Sequence, residues 1–155
     1  MRLVVFPLSV LAVLAGLVWL SVGVDGFEVR ASTSETLDLA RGEALYVEYC
    51  ASCHGANLEG QGDWRSPGSD GRLPAPPHDE TGHTWHHGDQ LLFDYTKLGG
   101  AALMAQRGVE FDSGMPGFGE QLTDTEIYSV LAYIKSTWPD RIRKIQAERS
   151  SVETQ

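Results

Sequence analysis

Two cysteines stand three residues apart with a histidine immediately behind them: Cys50-Ala51-Ser52-Cys53-His54. This is the C-x-x-C-H spacing of haem attachment. Two thioether bonds must reach the vinyl-derived carbons on one side of a porphyrin, and the adjacent imidazole then meets the iron from below. A redox C-x-x-C of the thioredoxin kind would follow a strand, whereas this one closes a helical pattern. A structural zinc site needs four ligands, and the chain has no second cysteine pair. Two cysteines in 155 residues are not a disulfide framework either. The predicted chemistry is that of one covalently held haem, with Cys50 and Cys53 as anchors and His54 as an iron ligand.

The position opposite His54 decides what such an iron does. A thioether there raises the potential and leaves no open position for small molecules. Of the three methionines, Met1 is excluded by position. Met115 lies in Met115-Pro116-Gly117-Phe118, where proline stiffens the loop and aims the side chain. Met104 follows Ala101-Ala102-Leu103 and reads as core packing. Met115 is therefore the predicted sixth ligand. An open position would instead make a haem enzyme or a gas sensor.

His78, His83, His86 and His87 cluster within ten residues, beside Asp79, Glu80 and Asp89. One reading is a second metal site, with copper suited to imidazole. The preferred reading is that this segment lines the haem edge. There, Pro76 or Pro77 offers a carbonyl to the His54 ring N–H, and Trp85 with a histidine bonds the propionates.

The elements that must position these residues are helices. Ser32 and Glu35 form a capping-box pattern, and a helix is predicted from there to about Cys50 with Leu37, Ala40, Ala44 and Val47 on its apolar face. Residues 55–88 are dense in glycine and proline and predict a long loop, unusual unless it wraps something. A second helix starts at Asp89, with Leu91, Leu92, Tyr95 and Leu98 on one side and Gly99 as its stop. Residues 108–120 are loop again. The last helix is announced by a capping box, Thr123 with Glu126, and by a Leu122–Ile127 staple. Its stripe is Ile127, Val130, Leu131 and Ile134, and Pro139 ends it after Trp138. The tail, residues 139–155, is charged, with only Ile142 and Ile145 to bury, and is expected to be a frayed surface helix at most.

Ahead of all this, Arg2 precedes an apolar run over residues 3–24. A cleavable signal has an apolar core of roughly 7–15 residues, and crossing a bilayer takes roughly 20. The run reads as an uncleaved membrane anchor, the alternative being a signal cut near Ser21-Val22-Gly23. Arg2 places the rest outside by the positive-inside rule. Residues 25–34 are a linker. The formal net charge of −9 argues against nucleic acid and favours redox partners, donor and acceptor, with a basic docking patch.

Residues 39–138 resemble the class I c-type cytochromes, small bacterial electron carriers with one haem. The resemblance rests on Gly42-Glu43-Ala44-Leu45-Tyr46, on Cys-Ala-Ser-Cys-His-Gly at 50–55, on Gly114-Met115-Pro116-Gly117-Phe118, and on Leu-Thr-Asp-Thr-Glu-Ile … Ala-Tyr-Ile-Lys-Ser at 122–136. It implies an all-α fold wrapped around the haem over residues 35–138, with Met115 in the family's ligand loop. It also implies that the first and last helices of the domain cross closely at Gly42, with Tyr133 against it and Tyr46 nearby. The function implied is electron transfer in the periplasm or on the periplasmic face of the membrane, by a carrier or by a cytochrome subunit of a larger oxidoreductase. The stretch from Leu73 to His87 resembles short bacterial cytochromes associated with copper handling, which is where the copper alternative comes from.

Overall fold

The computed structural model describes residues 37–153. The predicted anchor or signal, the linker and the Ser32–Glu35 capping box lie outside the described residues. The described residues are helices and loops with no strand. The helices are α1 (Leu39–Tyr49), α2 (Ala51–His54), α3 (Asp89–Leu98), α4 (Gly100–Gln106), α5 (Asp124–Ser136) and α6 (Asp140–Glu153), with one 3₁₀ turn at Thr84–His86. Among the described residues no helix is long and apolar enough to cross a membrane.

Helix α1 is capped by Asp38, whose carboxylate accepts from the Arg41 N–H at 3.0 Å. Its inward face differs from the expected one. Leu37 and Val47 are more than half exposed and Ala40 and Ala44 are exposed, while Gly42, Leu45 and Tyr46 are buried. The reason is tertiary. The principal interface of the domain is α1 against α5, and close crossing selects the face that carries the glycine. A Cβ on Gly42 would lie 2.6 Å from the Ser129 carbonyl carbon of α5 and 3.2 Å from Tyr133 Cβ. The roughly 1 kcal/mol that glycine costs inside a helix is offset by this approach. Tyr46 and Tyr133 then meet with ring centroids 5.6 Å apart.

Helix α5 is formed as its sequence predicts. Thr123 accepts from the Glu126 N–H at 3.3 Å, and the Glu126 carboxylate accepts from the Thr123 N–H at 3.1 Å. Ile127, Val130, Leu131 and Ile134 are buried, and Trp138 continues the stripe one turn further at 2 % exposure. In α3 the deep positions are Phe93 and Thr96, whereas Leu91, Leu92 and Tyr95 are half-buried and Leu98 is exposed. Phe93 is drawn inward because it stacks on Tyr128 of α5, at 4.5 Å between centroids.

The tail is not frayed. It is a 14-residue helix, α6, held by one buried isoleucine and one buried glutamine. The Gln146 amide donates to Asp89 Oδ1 at 2.7 Å and to the His87 carbonyl at 3.3 Å. Lys135 of α5 donates to the same carboxylate at 2.8 Å. Ser150 Oγ and the Glu153 carboxylate accept from the Asp89 and Gln90 N–H groups. The start of α3 thus has its orphan donors satisfied from another helix, an arrangement without local sequence signature.

Candidate functional site

Cys50 caps α1, and the chain turns at once into α2, so Cys50, Cys53 and His54 share one helical turn. The Cys53 and His54 N–H groups both donate to the Cys50 carbonyl, at 3.1 and 2.9 Å. A helical turn places residues three apart on one face, as two thioethers to one porphyrin edge require. Cys53 is exposed. Cys50 is half-buried against the core, and burial pushes its thiol up to about 11. Tyr46 fixes the end of the motif, its hydroxyl donating to the Gly55 carbonyl at 2.8 Å.

His54 is buried, and its Nδ1 lies 2.8 Å from the Pro76 carbonyl. That carbonyl only accepts, so Nδ1 carries the proton and Nε2 keeps its lone pair for a metal. Burial, partly offset by this bond, holds the imidazole below its ordinary range and therefore neutral. Of the two predicted acceptors the structure selects Pro76. The Pro77 carbonyl lies 3.5 Å from the Thr84 hydroxyl.

The wall behind His54 was only partly anticipated. The His78 ring stacks on the His54 ring, with centroids 4.0 Å apart and planes 22° apart. The His78 carbonyl accepts from the Trp138 indole N–H at 2.7 Å. Thr84, Trp138 and Tyr46 were missed as members of the site. Trp138 carried a signal as the continuation of the α5 stripe, and Tyr46 as a member of the motif that runs from Gly42 to Tyr46.

The remaining histidines are spent on ring contacts. His83 stacks on Trp64 with planes 8° apart, and His87 meets His83 edge-on. His86 stacks on Trp85 at 3.7 Å. The Trp85 indole N–H donates to the Glu80 carbonyl at 3.2 Å. Among the described residues no three His, Cys, Asp or Glu side chains converge into a metal-binding set. A cleft of about 270 Å³ lined by His86, His87, Arg149 and Glu153 lies between the 3₁₀ turn and α6 and shares no residue with the C-x-x-C-H turn.

Met115 sits half-buried in a loop fastened to the end of α3. The last carbonyls of a helix lack intrahelical partners. Here the Thr96 carbonyl accepts from the Phe118 N–H and the Lys97 carbonyl from the Gly119 N–H, both at 3.0 Å. On the other side of the methionine, the Gly100 N–H donates to the Met115 carbonyl at 3.2 Å, and Ser113 Oγ accepts from the Met115 N–H at 3.2 Å. The contact is backbone on backbone. A Cβ on Gly117 would lie 2.6 Å from the Leu98 carbonyl carbon, and one on Gly99 would lie 2.6 Å from the Gly117 nitrogen. Gly99 also has φ +82°, a conformation that side chains disfavour. Met104 is half-buried on α4.

A helical domain with two thiols on one turn, beside an imidazole whose Nε2 is left free, is a c-type haem protein. The cytochrome c family model matches residues 39–138, well over half of the chain, and the chain belongs to that family. It binds haem c covalently, and Cys50 and Cys53 are the only cysteines available for the attachment. Membership makes it a haem-based electron-transfer protein, a carrier rather than a catalyst. Comparison with curated proteins and with solved structures finds no match.

Proposed function

We propose that this chain is a class I, His/Met-ligated electron carrier exported from a bacterial cytoplasm and held at the outer face of the membrane by its N-terminal run. Cys50 and Cys53 form the thioethers, and His54 Nε2 and the Met115 thioether are the axial ligands. The haem, when bound, supplies the one-electron couple of its iron. The chain's part is to hold its ligands still, so that little reorganises when the charge changes, and to exclude a vacant position.

One observation carries this reading. Met115 lies in a loop anchored by backbone bonds through Met115, Phe118 and Gly119 and by the Ser113 hydroxyl on the Met115 N–H, and a soft thioether so placed favours ferrous iron. The net charge of −9 supports donor and acceptor proteins with basic docking patches. The same features serve a cytochrome subunit of a larger oxidoreductase, and co-purification from membranes separates the two roles.

The test is a redox-resolved absorption spectrum of the full chain. Met115→Ala is expected to remove the weak sulfur-to-iron charge-transfer band of the ferric form, lower the potential and admit carbon monoxide to the ferrous form. Met104→Ala is expected to keep the band and cost under about 2 kcal/mol, since the side chain is only half-buried. Loss of the band in Met104→Ala with its retention in Met115→Ala would reverse the assignment. Release of the protein from membranes by high salt alone would refute the anchor, because salt screens surface charge but not apolar insertion.

A further inference from the structure

We propose that His78 is a positioning residue for the iron ligand: it lies flat against His54 and sets the plane in which that imidazole meets the haem. The inference rests on His54 being the axial ligand.

An imidazole bound through Nε2 keeps one soft freedom, rotation about the bond to the metal. The Nδ1 bond to the Pro76 carbonyl restrains one edge of the His54 ring. A hydrogen bond to a carbonyl tolerates a broad range of angles. A flat partner against the ring face removes most of that range, because rotation would drive the two rings into each other. His78 is such a partner, at 4.0 Å between centroids and 22° between planes. It does not compete for the iron position, since a stacked ring lies along the normal of the His54 ring and the iron lies in its plane.

His78 is itself held on every side. Its Nδ1 is hydrogen-bonded to Thr84 Oγ1 at 2.8 Å, and that hydroxyl also lies 3.5 Å from the Pro77 carbonyl. Its backbone N–H donates to the Leu58 carbonyl at 2.8 Å, and its carbonyl accepts from Trp138. Tyr46 meets the ring edge-on at 6.2 Å. An aliphatic side chain would fill the same volume but would present no plane and accept no lock from Thr84. A side chain that acts on a ligand in this way tunes the metal without touching it.

The plane of an axial imidazole sets how the iron d orbitals split in the ferric low-spin state. It is read in the g-values of the ferric protein and in the order of its haem-methyl NMR shifts. The experiment uses the full haem-loaded chain with His78→Leu, His78→Phe and Thr84→Val. His78→Leu is expected to change the g-anisotropy and reorder the methyl shifts while the sulfur-to-iron band stays. Thr84→Val keeps the ring but releases its lock, and is expected to broaden the same signals. His78→Phe restores a plane and is expected to move the spectra back toward the natural protein. Unchanged g-values and methyl shifts in His78→Leu would show that His78 only fills space and overturn the proposal. If that variant does not fold, unchanged spectra in Thr84→Val overturn it equally. A natural protein whose ferric spectrum lacks the hyperfine-shifted ring protons of an axial histidine would instead overturn the ligand reading on which the proposal stands.

Discussion

Two loops, both rich in glycine and proline, flank the haem motif's chemistry, and they are held in opposite ways. The loop of residues 55–88 is held by side chains: His78 on His54, Trp138 on the His78 carbonyl, Thr84 between His78 and Pro77. The loop of residues 108–120 is held chiefly by backbone: the end of α3 needs donors for its last carbonyls, and Phe118 and Gly119 supply them. Rings and an indole make the first loop dependent on the core behind it. The second depends on close approach at Gly99 and Gly117. Loops of like composition can thus be ordered either by packing or by completing a helix, and the residues whose loss is felt differ accordingly.

The largest expected effect removes the covalently held haem. Cys50→Ser with Cys53→Ser is expected to leave a chain that does not attach haem and folds poorly, because a core of about 100 residues is marginal without its prosthetic group. Far-ultraviolet circular dichroism of the haem-free chain checks this, and full native helicity would contradict it.

Next comes a substitution aimed at the backbone-held loop alone. Gly117→Val pushes side-chain atoms into the Leu98 carbonyl, and overpacking of this kind costs roughly 1–3 kcal/mol. Its signature is loss of the sulfur-to-iron band with haem attachment intact. Retention of the band would show that the loop does not need this contact.

The side-chain-held loop should respond the other way. Trp138→Phe keeps most of the buried volume but leaves the His78 carbonyl without its donor, a loss of about 1–3 kcal/mol. Thermal unfolding should record the loss while the band stays in place. Disappearance of the band would mean that the two loops are coupled through the core.

The smallest effect lies at the α1–α5 crossing. Arg41, and then Thr123, hold the Glu126 carboxyl below its ordinary value of 4.5. A depressed folded value means that this contribution is present above about pH 4.5 and is lost as pH falls through the lower folded value. The pair is solvent-exposed, so the effect is slight. Arg41→Gln should flatten the acid side of the stability-against-pH curve in urea titrations, leaving both loops unchanged. An equal acid slope in the variant would assign that slope to other carboxylates.

The sequence by itself determined the parts whose cause is local. The C-x-x-C-H spacing names the haem chemistry, because two thioethers and a ligand on one turn need no distant partner. Thr123 and Glu126 define the start of α5, since a capping box closes within four residues, and Gly99 marks the end of α3. Gly42 was legible as a contact through the family resemblance of the motif it opens. What only the tertiary structure decided depends on groups far apart in the chain. The inward face of α1 was misread from Leu37, Ala40, Ala44 and Val47, since burial there is set by the partner helix and not by the count of apolar residues. The docking of α6 rests on Gln146, Ser150 and Glu153 meeting the start of α3, polar contacts that leave no hydrophobic period to read. The choice of Pro76 over Pro77, and the stacking of His78 on His54, belong to a loop whose path is fixed by bonds to Leu58, Thr84 and Trp138. Adjacent prolines are alike to local chemistry, and only the route of the folded chain tells them apart.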